Sequence, residues 1–243
     1  MESSLAYDFP ARICLGRTPP ETCVYLPDRR TTLSVVSPLA PDERALDVLL
    51  ARGHRRSGSM FYVPVCSGCR ECVPLRVPID SFAPSRGQRR IERKTGPAVD
   101  VRVEEPVFRR DCFELYLRHA RHVSDRAPVC DEENYRLFLV DSGVPSVHVL
   151  YHDVGSGDLL GFGVLDVGRE AASSVYFCWE PSAAALSLGT YSVLWEIAWC
   201  RARSIRYYYL GYRVGGCRSM AYKARFRPHE RMDWKTGTWE ETL

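Results

Sequence analysis

The chain has 243 residues, of which 45% are hydrophobic and 26% are charged. This composition is typical of a globular protein and excludes a disordered or fibrous chain. No apolar run approaches the roughly 20 residues of a membrane-spanning helix, and the first residues lack the apolar core of a signal peptide. We therefore expect a cytoplasmic protein that has no membrane partner.

Charge is distributed unevenly along the chain, although the net charge is only +3. Residues 201–235 contain 10 Lys and Arg against 2 Asp and Glu, whereas residues 100–180 contain 8 against 15. A basic surface of this kind indicates an anionic partner, although a solvated surface without any partner has the same composition.

Residue patterns in the first half of the chain predict two helices and two strands. A helix is expected at 41–52, with Gly53 at its C-terminal stop. Strands at 60–65 and 73–79 flank a turn that contains three cysteines, and a second helix is expected at 107–123.

The second half predicts a hairpin, a strand, a helix and another strand, in that order. Val147–Tyr151 and Leu159–Val167 form the hairpin, and Ser174–Trp179 follows as a strand. Apolar residues nearly encircle the helix at 188–203, so we expect it to be buried. Arg206–Tyr212 reads as an aromatic-rich strand. This is the core order of the acetyltransferase-like (GNAT) fold.

The expected architecture is therefore α/β (α+β), with tandem GNAT-like halves built on mixed sheets and divided into domains 1–105 and 106–243. The GNAT fold normally cradles coenzyme A in a loop with two spaced glycines, but residues 187–191 contain one. An acetyl-CoA-dependent N-acetyltransferase is an alternative that this loop disfavours.

Six segments contain motifs that occur together in one known family. They are CVYLPDR at 23–29, GHRRSG at 53–58, YVPVCSGCRECVPLR at 62–76, FAPSRGQRR at 82–90, LSLGTY at 186–191, and a stretch from YLGY at 209–212 to FRP at 226–228. In identity and order they resemble the bacterial leucyl-tRNA–protein transferases that act on N-terminal Asp or Glu, and the eukaryotic arginyl-transferring relatives.

The resemblance implies an aminoacyltransferase that moves leucine from leucyl-tRNA to the α-amine of proteins beginning with Asp or Glu, which marks them for degradation in the N-degron pathway. Its partners would be charged tRNA and acceptor proteins, with no DNA and no membrane, and we expect a monomer. Bacterial members typically carry Arg at the position of Leu186. In having Leu there, the chain resembles the arginyl enzymes. Arginyl transfer to the same acceptors therefore remains an alternative.

The chemistry of aminoacyl transfer leads to three candidate catalytic residues. The donor ester is already activated, so catalysis needs a proton route, oxyanion donors and fixed geometry, and no cofactor. Glu180, at the end of a predicted strand, is the candidate acid/base or amine-orienting carboxylate. Lys223 is expected to bind a carboxylate or phosphate, and Tyr212 to donate a hydrogen bond. The alternatives are that Glu180 and Lys223 are solvated surface residues and that Tyr212 packs in the core.

Substrate binding is assigned to basic and aromatic residues. Arg55, Arg56 and Arg76 flank the cysteine turn and suit the acidic side chain of the acceptor, because a guanidinium grips a carboxylate with two bonds. Tyr222, like Tyr212, is expected to donate a hydrogen bond to substrate or to stack on the terminal adenine of the tRNA, unless it belongs to the core.

A basic run is the candidate tRNA-binding segment, because contacts to a phosphate backbone depend on charge more than on sequence. A solvated loop is the competing interpretation. The run consists of Arg86, Arg89, Arg90, Arg93 and Lys94.

The spacing of Cys66, Cys69 and Cys72 is typical of soft-metal ligation, and Cys23 or Cys14 would supply a fourth thiolate. We expect zinc in preference to an iron–sulfur cluster, and the family resemblance also implies a metal there. Reduced buried thiols and a redox-labile pair are the alternatives. The same segment suggests a non-enzymatic hypothesis, a zinc-ribbon RNA-binding module, in which Glu180 and Lys223 would be dispensable.

Overall fold

The computed structural model of the chain describes residues 12–39, 41–123 and 130–242. The helices are α1 Glu43–Ala51, α2 Arg86–Thr95, α3 Arg110–Val123, α4 Glu132–Tyr135 and α5 Leu188–Arg201. The strands are β1 Arg12–Arg17, β2 Glu21–Thr22, β3 Arg30–Thr31, β4 Leu33–Pro38, β5 Arg55–Ser57, β6 Met60–Pro64, β7 Cys72–Pro78, β8 Val99–Glu104, β9 Ser146–Asp153, β10 Leu159–Val167, β11 Ala171–Trp179, β12 Tyr207–Val214, β13 His229–Met232 and β14 Trp239–Thr242. Short 3₁₀ or π segments lie at Gly96–Ala98, Arg136–Val140, Pro181–Leu186 and Arg218–Arg225. No helix in these ranges is long and apolar enough to cross a membrane.

An eight-stranded mixed sheet dominates the fold, with the order β14-β13-β7-β12-β11-β10-β9-β8. All neighbours are antiparallel except β11 and β12, which run parallel. The mixed α/β class predicted above is confirmed. Because β7 and β8 precede residue 105, this sheet takes strands from both sides of the predicted domain division. The tandem-halves arrangement and its boundary at 105 stay predictions.

The parallel strands β11 and β12 pair over a short distance only. Ala171, Ala172 and Ser173 pair with Tyr207, Tyr208 and Tyr209, and beyond this point each strand keeps only its outer neighbour. The two strands therefore enclose a gap in the middle of the sheet. The predicted sequence of hairpin, strand, buried helix and strand is confirmed by β9–β10, β11, α5 and β12.

Both faces of the large sheet are covered by helices. On one face α5 buries Leu188, Leu194 and Ile197 in the main core, as its nearly continuous apolar surface predicts. On the other face α3 packs Leu115 and Tyr116 into a second core with residues of β10. Burial on both faces makes the sheet a rigid base for the gap between β11 and β12.

The N-terminal part forms a smaller antiparallel sheet, with the order β1-β4-β6-β5, beside α1. Asp47 of α1 joins it to the large sheet, since its carboxylate accepts three backbone N–H groups from Arg169, Glu170 and Ala171 at 3.0–3.1 Å. These N–H groups belong to the turn before β11 and to its first residue, so the small sheet is held against the start of that strand.

Candidate active site

Arg55 reaches from β5 into the gap where β11 and β12 separate. Its two terminal nitrogens donate to the Ser173 hydroxyl and to the Ser174 carbonyl, each at 2.6 Å. On the opposite strand, Gly211 has φ of +81°, and a Cβ there would lie 2.9 Å from the Arg55 guanidinium carbon. A residue without a side chain is therefore required next to this arginine. The predicted binding residue Arg55 thus lies inside the gap.

Lys223 lies beside the same gap on the segment Arg218–Arg225. The residue is only 8% exposed, and its Nζ donates to the Tyr212 carbonyl at 3.0 Å. Burial is the main cause that lowers the pKa of the Lys223 ammonium, the nearby positive charge of Arg55 is the second, and together they bring it to about 7. Because this pKa matches neutral pH, a substantial fraction of the side chain is a neutral amine that can accept a proton.

The hydroxyl of Tyr212 contacts backbone carbonyls. It lies 2.9 Å from the Gly53 oxygen and 3.2 Å from the Tyr62 oxygen, and its ring meets the Tyr62 ring edge to face. The hydroxyl proton is consequently used inside the protein, while the Tyr212 carbonyl holds Lys223. This arrangement favours a positioning role for Tyr212 over the predicted role as a hydrogen-bond donor to substrate.

Glu196 is a buried carboxylate near the gap that sequence reasoning missed. It projects from α5, where Tyr208 donates to it at 2.5 Å and Tyr151 at 3.5 Å. Burial raises the pKa of Glu196 to about 7, and the two tyrosine hydrogen bonds limit that rise. A single charged residue within an otherwise apolar helical stretch was the signal that could have revealed it.

Tyr222 lies close enough to Glu196 and Arg55 for the charge of each to affect its hydroxyl. Burial raises the pKa of the Tyr222 hydroxyl, the negative charge of Glu196 raises it further, and the positive charge of Arg55 lowers it. The hydroxyl end of Tyr222 therefore lies in the field of both groups, although the residue as a whole is 38% exposed. Arg55, Glu196 and Tyr222, which are far apart in the chain, thus place a cationic, an anionic and a phenolic group close together at one end of the gap.

Glu180, the predicted acid or base, lies at the far end of β11. Its carboxylate makes an ion pair with Arg118 of α3 at 2.9 Å. Six residues of extended strand separate it from Ser174, about 20 Å at the usual rise per residue. The structure therefore does not bring Glu180 to the Lys223 group.

Two of the three predicted acceptor-binding arginines are engaged by protein groups. Arg56 forms a buried ion pair with Asp166 at 2.7 Å, with both side chains 1% exposed. Arg76 donates to Glu230 at 2.5 Å and to the Tyr209 hydroxyl at 3.0 Å. These contacts favour structural roles for Arg56 and Arg76, which leaves Arg55 as the candidate for substrate contact.

The basic run predicted to bind tRNA lies on a helix, so the alternative that it is a loop is wrong. Ser85 caps α2 through a capping box with Gln88. Five basic side chains on this helix are exposed, which gives one continuous cationic surface. They are Arg86, Arg89, Arg90, Arg93 and Lys94.

The cysteine turn does not fit a metal ion among the described residues. Within the described ranges no group of three or more His, Cys, Asp or Glu is arranged to hold one, which corrects the predicted zinc or iron–sulfur site at Cys23, Cys66, Cys69 and Cys72. Burial, together with the neighbouring thiols of Cys23, Cys66 and Cys69, raises the pKa of the Cys72 thiol to about 12. The side chain of Cys14 lies outside the described part.

Comparisons with known proteins agree with the arrangement of the chain. The family models for the arginine-tRNA-protein transferase N terminus and C terminus match residues 21–90 and 111–233. The aspartate/glutamate leucyltransferase of Marinobacter nauticus is 36% identical over 227 residues, covering 92% of this chain and 94% of the relative. The enzyme of that name from Halorhodospira halophila is 34% identical, covering 92% and 95%.

The similarity to solved structures is weaker. The C-terminal domain of a putative lysylphosphatidylglycerol synthetase from Agrobacterium fabrum has a TM-score of 0.49 and 14% identity, covering 71% of this chain and 59% of that one. A similarity at this level supports no argument about function.

Proposed function

Because the chain belongs to the arginine-tRNA–protein transferase family, we infer that it transfers leucine from leucyl-tRNA to the α-amine of proteins that begin with Asp or Glu. The observation that carries this inference is the similarity to aspartate/glutamate leucyltransferases over 92% of the chain. The product has a new N-terminal leucine, which marks it for degradation. The reaction would take place in the cytoplasm, on a monomer, with charged tRNA and acceptor proteins as partners.

The proposed reaction forms one amide bond and breaks one ester bond. The α-amine nitrogen of the acceptor attacks the carbonyl carbon of the aminoacyl ester, and the nitrogen then loses a proton. Lys223, as a neutral amine, accepts that proton, and the ammonium it becomes returns a proton to the departing ribose oxygen of the tRNA. The balance needs no protein nucleophile and no cofactor.

Arg55 is the proposed ligand for the acidic side chain of the acceptor. Its two contacts with β11 use two of the five N–H groups of a guanidinium, so three remain for a carboxylate. It also lies close enough to Lys223 to lower the pKa of that amine. One arginine would thus recognise the acceptor and keep the neighbouring base neutral.

The exposed basic surface of α2 is the proposed contact for the tRNA backbone. Phosphate contacts of this kind depend on ionic strength, because each neutralised phosphate releases counterions. Residues 201–235, with 10 basic against 2 acidic residues, supply further positive charge. Glu180, paired with Arg118 at the far end of β11, lies too far along the strand to orient the reacting amine, so Glu180→Gln should leave transfer intact.

Arginyl transfer is the second candidate, and Leu186 is the observation that favours it. The deciding assay offers the enzyme a mixed pool of tRNAs charged with labelled amino acids and peptides that begin with Asp, Glu, Lys or Ala. Leucine on the Asp and Glu peptides alone is the expected result, and arginine there would select the second candidate.

Three further outcomes would reject parts of the proposal. Labelled Lys peptides would contradict the role of Arg55, because a second cation would not bind beside it. Absence of any transfer, together with acetylation from acetyl-CoA, would replace the aminoacyltransferase by an N-acetyltransferase. RNA binding by the whole chain, with no transfer, would favour a non-enzymatic RNA-binding module.

A further inference from the structure

The loop 23–29 contains a sequence motif that the proposed reaction does not use. The loop is a closed turn, in which the Arg29 N–H donates to the Leu26 carbonyl at 2.9 Å. Leu26 packs on the chain just after β12, since a Cβ at Gly216 would lie 2.9 Å from its Cδ2 atom. The Arg29 guanidinium also donates to the Cys69 sulfur at 3.3 Å. The loop is therefore fixed beside the open end of the gap between β11 and β12.

Tyr62 lies next to Arg55 on the neighbouring strand. The two residues are direct partners in the antiparallel pair β5–β6, so their side chains project from the same face, with Cβ atoms about 4.5–5.5 Å apart. The Tyr62 ring packs on the Tyr212 ring, with centroids 6.2 Å apart, and the Tyr62 carbonyl accepts from the Tyr212 hydroxyl. The ring and the backbone of Tyr62 are thus held by the protein, which keeps its hydroxyl beside Arg55.

Tyr25, in the loop 23–29, brings a second phenol to the same place. Burial is the main cause that raises the pKa of the Tyr25 hydroxyl, Tyr62 and Cys72 also raise it, and the positive charge of Arg55 lowers it. The Tyr25 hydroxyl therefore lies near both Tyr62 and Arg55. Burial likewise raises the pKa of the Tyr62 hydroxyl, against the charge of Arg55. Both phenols consequently keep their protons at neutral pH and are able to donate hydrogen bonds.

These three side chains have hydrogen-bonding capacity that the protein does not use. In the part of the chain that the structure describes, Arg55 donates only to neutral groups, the Ser173 hydroxyl and the Ser174 carbonyl. Within the same part, the hydroxyls of Tyr25 and Tyr62 donate to no protein group. A guanidinium flanked by two O–H donors suits a carboxylate, because its two oxygens accept about four hydrogen bonds and bind charged donors most strongly.

We propose that Tyr25 and Tyr62 donate hydrogen bonds to the side-chain carboxylate of the first acceptor residue, which Arg55 also binds, and that they thereby determine the specificity for Asp and Glu. This proposal rests on the function inferred above and adds two residues to its acceptor site. Lys223 lies near the same guanidinium, so a carboxylate held there keeps the α-amine of that residue close to the proposed base. Asn or Gln would instead place an NH₂ group, which cannot accept, against one of these donors.

Tyr25→Phe and Tyr62→Phe test the proposal, because each removes one O–H and keeps the ring. Each variant should weaken the binding of peptides that begin with Asp or Glu, and raise their KM, by about 10–100-fold, as expected for one lost hydrogen bond to a charged group. The loss should be smaller for a peptide that begins with Asn, so the preference for Asp over Asn should shrink. The KM for leucyl-tRNA should stay unchanged.

Stability and a matched variant exclude a merely structural effect. The midpoint of urea unfolding should be the same in Tyr25→Phe, Tyr62→Phe and the natural chain, because neither hydroxyl has a protein acceptor in the described part. Tyr207→Phe is the control, since Tyr207 lies on the paired part of β12 with its ring under the Arg76 guanidinium. This variant should bind the Asp peptide as the natural chain does.

The outcomes separate this proposal from the function itself. Peptide binding is measured by calorimetry without tRNA, so it does not depend on transfer. Natural affinity and KM for the Asp peptide in either variant would overturn the role of that tyrosine, even if leucine transfer is observed. Equal losses for the Asp and Asn peptides, or a lower midpoint of urea unfolding with the Asp preference kept, would assign the tyrosine to packing instead. Absence of transfer by the natural chain, combined with Asp-peptide binding that both variants weaken, would reject the inferred function and keep the carboxylate site.

Discussion

Replacing Lys223 tests whether a neutral amine at the gap takes the proton of the acceptor. With a pKa of about 7, roughly half of the Lys223 side chains are neutral at pH 7, against fewer than about one in a thousand for an ordinary lysine. Lys223→Arg keeps the positive charge but cannot deprotonate. Both Lys223→Arg and Lys223→Met should therefore lower kcat at pH 7 by about 10²–10⁴-fold.

The pH profile gives a second readout for Lys223. In the natural chain, kcat should fall about tenfold per pH unit below pH 7, because the amine becomes protonated. Arg55→Met removes the neighbouring positive charge, so the pKa of Lys223 should rise. The pH below which kcat falls should then move to a higher value. The α-amine of the free acceptor titrates at about 7.7–8.0. Measuring kcat at saturating acceptor peptide separates that titration from the titration of Lys223.

The same lysine should affect stability with a definite sign. Its pKa is lowered from 10.5 to about 7 in the folded chain, so between these values the unfolded chain binds the additional proton. The free energy of unfolding should therefore rise with pH in this window, by at most about 1.4 kcal/mol per unit, and Lys223→Met should remove that rise. A Lys223→Arg variant with unchanged kcat and an unchanged pH profile would refute the proposed base.

Three further predictions concern the core and the tRNA surface. Arg56→Met leaves Asp166 charged and buried, so the free energy of unfolding in urea should fall by about 3–5 kcal/mol. Neutralising Arg89 and Arg90 together should weaken tRNA binding and reduce the slope of log affinity against log salt by about 2. Because the pKa of Glu196 is raised from 4.5 to about 7 on folding, the folded chain holds the additional proton in this window, so stability should fall as pH rises through it. Glu196→Gln should abolish that fall in pH-dependent urea unfolding.

Each of these predictions has its own control. The double variant Arg56→Met with Asp166→Leu should recover most of the lost stability, and no recovery would mean that the ion pair is not the cause. Arg102→Ala, an exposed arginine on β8, is the matched control for tRNA binding and should leave the salt slope unchanged. A Glu196→Gln variant that keeps the natural pH dependence would show that another group titrates in this window.

Much of the fold could be predicted because local residue patterns determine its helices and strands. The nearly complete apolar surface of α5 predicts burial, and the structure places that helix against the large sheet. The hairpin β9–β10 follows from two β-rich stretches around a turn with two glycines. In each case the determining contacts are close in sequence, so a single stretch contains the information.

The helix α2 shows where a local pattern was present but overlooked. The stretch is so rich in arginine and lysine that it lacks an apolar stripe, which favours interpretation as a loop. However, Ser85 and Gln88 have the spacing of a capping box, and the structure contains both of its hydrogen bonds. A capping signal therefore predicts a helix even when most of its surface remains in solvent.

The sequence by itself determined the family, the order of the core elements and the identity of Arg55 and Lys223 as candidates, because motifs and periodicity are local properties. Only the tertiary structure decided which charged groups meet. It buries Arg56 against Asp166, separates Glu180 from Lys223, and brings Arg55 into the gap. These outcomes depend on desolvation and on pairing between residues far apart in the chain, such as Arg55 and Ser174, which are 119 positions apart, and no single stretch of sequence contains that information.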